Sequence, residues 1–163
     1  MESDNPVVRL CAEGMEAERS GRYDDARALF TQAWEGRRND YEGCIAAHYL
    51  ARHQPDVSSE LRWNLAALSL AAAAPAGEVG GFLASLHLNV ASSYKKLGAV
   101  AESRAHIALA ETALGTLADG AYKDVVRRGI GNVARSLELS GKQRRTRSPS
   151  PRSGRAARSG SHS

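Results

Sequence analysis

Apolar and small residues return at helical intervals through most of this chain. Across residues 10–33, Leu10, Gly14, Ala17, Gly21, Tyr23, Ala26, Phe30 and Ala33 mark out two short amphipathic helices joined by a tight turn at Ser20 and Gly21. A small residue midway along the first helix lets a second backbone come close, and the glycine at the turn accepts a left-handed backbone. Pro6 suits the first position of a helix with Asn5 as its cap, so the first helix is predicted from Pro6 to about Arg19. The second is predicted from about Tyr23 to Gly36.

The pattern continues downstream. Asp40 is placed to cap a third helix that reaches about His53, with Cys44, Ala47, His48 and Ala51 as its packing face. Ser58 or Ser59 followed by Glu60 marks the next start, and Leu61, Leu65, Leu68 and Ala72 read as its apolar stripe, with Trp63 off that stripe. The glycine-rich run 75–81 is a breaker. A fifth helix follows from Phe82, with Val90, Ala91 and Tyr94 inward, and ends at Lys96-Leu97-Gly98. Its partner, about Val100 to Leu117, packs through Ile107, Ala110, Ala113 and Leu114. Asp119-Gly120 breaks the chain again. A last helix, about Tyr122 to Leu139, carries Val126, Ile130, Val133, Ala134 and Leu137 on one face and is predicted to stop at Ser140-Gly141.

The run Gly21-x-Tyr23-x-x-Ala26-x-x-x-Phe30-x-x-Ala33 resembles the signature of the tetratricopeptide repeat, a helix–turn–helix unit recurring about every 34 residues. The segment CIAAHYLA falls one such period later, and SLHLNVASSY with Lys96-Leu97-Gly98 repeats the match. The wording is similar to small stand-alone tetratricopeptide proteins of high-GC bacteria. The resemblance implies an all-α fold, a right-handed stack of about three hairpins with the last helix as a C-terminal cap. That domain would occupy residues 6–139, between a polar lead at 1–5 and a tail at 140–163.

Such a stack implies a concave groove lined by the first helix of each pair. Side chains off the packing faces would point into it: Tyr49, Arg52 and His53 on the third helix, Asn89, Ser92, Ser93 and Lys96 on the fifth with Lys95 at its edge, and Arg128, Asn132 and Arg135 on the last. Each set falls at one-turn spacing and forms a stripe. Basic and amide groups together suit a partner peptide, with asparagine holding its backbone and cations holding a carboxylate, as in the carboxylate-clamp members of the family. The first helix offers Cys11, Ala12 and Met15 where those members carry lysine and asparagine. A solvated basic face is the alternative for the same residues.

Charge changes the picture only once it is divided. Residues 141–163 hold seven of the 22 basic residues and none of the 18 acidic ones, so residues 1–140 carry a net charge of −3. The tail is almost devoid of apolar side chains and is predicted to be disordered. Its cations suit phosphate backbones or anionic surfaces, without aromatics to stack on bases, and phosphorylation of Ser148 or Ser150 would offset part of that charge. A solubilising extension is the plainer reading of the same segment. No apolar run is long enough to span a membrane, no signal segment opens the chain, and two cysteines make no disulfide framework, which together suggest a cytoplasmic protein.

Cys44 and His48, one helical turn apart, have metal-ligand spacing, and His87 occupies the corresponding face of the fifth helix. All three also fall on packing faces, so no metal site is expected. Neither a phosphate-binding loop nor a nucleophile elbow is present. The expectation is therefore a non-catalytic scaffold without cofactor that binds a protein or peptide partner in the groove. The alternative is a nucleic-acid-associated protein held by its tail.

Overall fold

The computed structural model describes residues 4–147, with side chains as far as Lys142. The part of the tail from Ser148 onward, with the disorder, modification and nucleic-acid roles expected of it, lies outside the described residues. Within them the chain forms eight α-helices and no strand: α1 (Pro6–Arg19), α2 (Tyr23–Glu35), α3 (Asp40–Leu50), α4 (Val57–Ala73), α5 (Ala76–Val79), α6 (Leu83–Lys96), α7 (Val100–Gly115) and α8 (Ala121–Arg147). None of these is long and apolar enough to cross a membrane.

The helix starts follow capping chemistry. Asn5 Oδ1 accepts from the amides of Val7 and Val8 at 2.9 and 3.2 Å, as the Asn5-Pro6 pair predicts. Two other caps lie upstream of the residues expected. Asn39 rather than Asp40 accepts from Glu42 N, and Asp56 rather than Ser58 or Ser59 accepts from Ser59 N. In each case a carboxamide or carboxylate three residues before an unpaired amide takes the role. The third helix ends at Leu50, and Ala51–His53 forms a single tighter turn. The breaker run 75–81 contains the one-turn α5, whose Val79 is buried. The break expected at Ser140-Gly141 is absent, and α8 continues to Arg147.

The helices pack as consecutive pairs, α1 on α2, α3 on α4 and α6 on α7, with α2 against α3, α4 against α6, and α8 against both α6 and α7. Three apolar clusters succeed one another along this series. The first joins α1, α2 and α3 around Phe30, the second joins α3, α4, α5 and α6 around Val79 and Leu86, and the third joins α6, α7 and α8 around Ile107 and Ile130. Trp34 and Trp63 meet edge to face at 4.9 Å and belong to both of the first two clusters, tying them together.

That contact corrects the expected face of α4. Ala67, Ala71 and Asn64 are buried, Leu61 and Leu68 are only partly covered, and Leu65 and Ala72 are exposed. Trp63 sets the rotation of the helix by inserting against Trp34. The alanines then allow α4 to approach α3 and α6 closely, with the leucines on its flanks. The expected faces of α7 and α8 hold: Ile107, Ala110, Val126, Ile130, Val133 and Leu137 are all buried.

Gly14 and Phe30 make the tightest seam. A Cβ at Gly14 would stand 2.8 Å or less from three carbons of the Phe30 ring, which is fully buried and cannot yield. Gly14→Ala is therefore expected to lower the free energy of unfolding by about 2 kcal/mol in urea titrations, through overpacking. At Gly131 a Cβ would meet only the far end of the Arg135 side chain, at 3.6 Å. Gly131→Ala should instead raise stability by about 1 kcal/mol through helix propensity.

Candidate functional site

The series of close contacts has one gap. α1 packs on α3 and α6 packs on α8, whereas α3 and α6 lack such close packing and meet through side chains such as His48 and Asn89. The chain between α4 and α6 spends its length on α5 and the glycines around it, so α6 does not follow α4 as tightly as α4 follows α3. The space left between α3, α6 and α8 is a cavity of about 550 Å³. It reaches α1 through Met15 and α4 through Glu60 and Asn64.

Apolar side chains dominate its wall. Met15, Phe82, Tyr122 and Val125 all line it while remaining 37–57 % exposed. Ile45, Leu86 and Leu88 continue the surface inward. Gly129 faces Leu88 so closely that a Cβ would lie 2.6 Å from its Cδ2, which sets how near α8 stands to α6. Concave apolar surface of this size, with a few polar groups in it, is the usual form of a binding site.

Of the residues expected in the groove, the structure brings Tyr49, Arg52 and Asn89 onto this wall. Tyr49 stacks on Phe30 with ring centroids 5.0 Å apart, and the Arg52 guanidinium lies 4.8 Å from the Tyr49 ring centre. Arg52 is already occupied: its Nη2 donates to Glu18 Oε2 at 2.6 Å. His53 lies off the wall, its largely covered ring tilted against Phe30 and hydrogen-bonded to Glu18 Oε1 at 2.7 Å.

Lys96 also lies off the wall, and its Nζ donates to both oxygens of Glu60 at 2.8 Å. Ser92 and Lys95 are half-buried and take no part in the cavity. Arg128 lies in a shallower depression on α8 beside Asp124 and Arg127. Asn132 and Arg135 are hydrogen-bonded to each other on the exposed side of the same helix. The basic stripes foreseen along the groove are thus mostly ion pairs or outer-surface groups.

The polar end of the cavity rests on Glu60 and Asn64, with Ser93 behind them: expected in the groove, Ser93 is fully buried because its hydroxyl ties α6 to α4. Ser93 Oγ donates to Glu60 Oε1 at 2.8 Å, with Asn89 O a second acceptor at 3.1 Å. A hydroxyl has one proton, and both of these neighbours can only accept it. Ser93 Oγ must therefore act as acceptor toward Asn64, which fixes Nδ2 as the nitrogen donating to it at 3.0 Å. Asn64 Oδ1 is left pointing elsewhere, buried, and no donor among the described residues meets it. Sequence reasoning missed Asn64, although an asparagine inside the otherwise apolar run of α4 is a visible signal.

The imidazoles do not converge as a metal site. Asn89 Nδ2 and His48 Nδ1 approach to 3.3 Å across the cavity, whereas His87 turns to the opposite side of α6 and shares a 3.0 Å Nδ1–Nδ1 hydrogen bond with His106 of α7. Among the described residues no group of three metal-ligating side chains occurs. Burial pushes the thiols of Cys11 and Cys44 up, to about 12 and about 11, so both stay protonated and unreactive at neutral pH.

Burial, with the Arg52 charge second, lowers the His48 pKa to about 4. His87 and His106 are lowered too, mainly by burial. These imidazoles are neutral when folded, and the unfolded chain binds more protons below its ordinary histidine pKa of about 6.5. Stability is accordingly expected to be full above that value and to fall as pH drops toward about 4, read as the urea midpoint across pH. His48→Gln should flatten this fall, and an unchanged pH profile would contradict the buried neutral imidazole.

No protein-family model matches the chain, and no curated protein and no solved structure matches it.

Proposed function

We propose that the chain is a non-catalytic scaffold of tetratricopeptide type that captures a segment of a partner protein in the cavity between α3, α6 and α8. The observation that carries this reading is the exposure of Met15, Phe82, Tyr122 and Val125 together around one concavity. Large apolar groups gathered on a concave wall, open to water, match a surface that waits for a partner. The pairing of successive hairpins and the close Gly14–Phe30 seam support the repeat reading.

The chemistry nearby favours binding over catalysis. Cys44 has a thiol held protonated, and His48 spends its Nδ1 on Asn89. The carboxylate-clamp version of the partner is not favoured, because Arg52 and Lys96 are already paired with Glu18 and Glu60.

The test replaces exposed positions so that the body stays folded. Immobilised chain carrying Met15→Glu together with Val125→Glu should retain its partner proteins from a cell extract at least about tenfold less than the unaltered chain, since burying a charge against an apolar wall is costly. Leu109→Glu, at an equally exposed apolar position of α7 outside the cavity, should retain them fully. Equal retention by the double variant would place the binding surface elsewhere.

A further inference from the structure

We infer that the outer face of α8 is a second binding surface of this chain, which holds the phosphate backbone of a nucleic-acid duplex without reading its bases. This goes beyond the scaffold reading and does not depend on it. The α8 wall of the cavity ends at Gly129, and most of this surface lies further along the helix.

The first observation is how the fold divides charge. α8 runs unbroken to Arg147, so Lys142, Arg144, Arg145 and Arg147, expected in the tail, belong to a helix. α8 holds eight basic residues and two acidic ones, a net of +6, whereas residues 1–120 hold 11 basic and 16 acidic, a net of −5. A helix dipole draws cations into the last turn only. Arg127, Arg128 and Arg135 lie three or more turns before the end, so helix stability does not explain them.

The second is where these groups stand. Val126, Ile130, Val133 and Leu137 are buried in the cluster shared with α6 and α7. Arg128, Arg135 and Lys142 follow one another at seven-residue steps on the opposite side, all exposed. They make a straight row about 20 Å long. Arg104 of α7 reaches the far end, its Nη2 3.9 Å from where a Cβ of Gly141 would stand.

The third is that the chain does not answer this row itself. Elsewhere Arg19, Arg22, Arg38, Arg52 and Lys96 each meet a carboxylate. Arg104, Arg128 and Arg135 are in no ion pair among the described residues. Arg135 is hydrogen-bonded to the Asn132 side chain, and Asp124, which shares a shallow depression with Arg128, is paired with Arg127. Glu138 is the one carboxylate on α8 beyond Asp124.

The chemistry selects the anion. A duplex carries one charge per ~1.7 Å of its axis, so a straight row of cations finds partners along it without a fixed register. Six of the eight cations of α8 are arginines, whose planar fork grips phosphate oxygens in pairs. After Tyr122 the helix has no aromatic residue on which single-stranded bases could stack. Its apolar face is spent on α6 and α7, and no continuous apolar stripe is left to enter a lipid surface.

The experiment is fluorescence anisotropy of a labelled, mixed-sequence DNA duplex of about 20 base pairs, titrated with the full chain between about 50 and 200 mM KCl. Affinity should fall steeply with salt and agree within about twofold for a second duplex of unrelated sequence. Arg128→Gln, Arg135→Gln and Lys142→Gln together should weaken binding and flatten the slope of log K against log salt by about 3. Arg9→Gln, Arg19→Gln and Arg27→Gln remove the same charge from exposed positions of α1 and α2, and should leave that slope unchanged. Duplex RNA of the same sequence, run beside the DNA, names the source of the phosphates by the tighter binding.

No binding by the unaltered chain at about 50 mM KCl overturns the inference. So does an α8 triple variant that keeps the original slope, which assigns the contacts to residues 148–163. Equal flattening by both triple variants reduces the effect to net charge and overturns it as well. Tighter binding to phosphatidylserine vesicles than to the duplex at the same salt gives the face to a membrane instead. Arginine modification by phenylglyoxal needs no variant: bound duplex should shield Arg128 and Arg135 and leave Arg9 and Arg27 reactive, and uniform shielding overturns the surface. None of these outcomes bears on the cavity.

Discussion

Helix backbones in this chain come together across alanine and glycine, and the rest of the structure depends on that closeness. Ala17, Ala26, Ala33, Ala46, Ala47, Ala67, Ala84, Ala91 and Ala110 are all fully buried, and they lie on six different helices. Few large side chains are available to fill wide gaps, so stability has to come from short interaxial distances and good dispersion contact. Large residues are placed where the seams would otherwise leave voids: Phe30 over Gly14, and Trp34 against Trp63 between the first two hairpins. Where the facing residues are too large or polar to close, as with His48, Tyr49 and Asn89 between α3 and α6, the helices stand apart and the cavity opens.

Polar contacts act mostly as ties between elements distant in sequence. Glu42 is 1 % exposed and accepts from Asn5 Nδ2, from Arg38 Nη2 and from Arg38 N, which pins the start of α1 to the start of α3. Those hydrogen bonds, the Arg38 guanidinium first, hold its carboxyl below the usual range despite burial. Glu18 joins α1 to the turn after α3, and Glu60 joins α4 to α6. Each of these carboxylates takes more than one donor, so losing either would leave other groups unpaired. The cavity walls are thereby held in place by contacts within the chain itself.

Much of the helical order is legible in the sequence, because the turn glycines and the apolar spacing agree. Gly21 and Gly98 do adopt left-handed backbones, at φ 74° and 76°, and the packing faces of α1, α7 and α8 follow their periodicity. On α2, Ala26, Phe30 and Ala33 are buried, but Tyr23, expected on the same face, is 64 % exposed in the first turn. The face of α4 does not. Its leucines outweigh its alanines in any count of hydrophobicity, yet a tryptophan contact and the need for close approach decide the rotation. The site was harder to read still. Lys96 lies on the helix expected of it, and Arg52 and His53 fall in the turn just past the end of theirs, but each meets a carboxylate 34 to 36 residues away in sequence. Spacing along one helix reports which side chains share a face, and says nothing of what a neighbouring helix brings to meet them. Asn64 shows the same limit from the other side, since its meaning comes from Ser93 on α6.

The central claim is that the open seam between α3, α6 and α8 is the surface that takes a partner. Titration of N-acetyl-leucinamide, a neutral compound with one apolar side chain and free N–H donors, into methyl-labelled chain tests this directly by nuclear magnetic resonance. The account predicts shifts concentrated on the methyls of Met15, Ile45, Leu86, Leu88 and Val125, with Leu109 and Leu139 unmoved. Shifts confined to the outer helices, or spread evenly over exposed methyls, would contradict it.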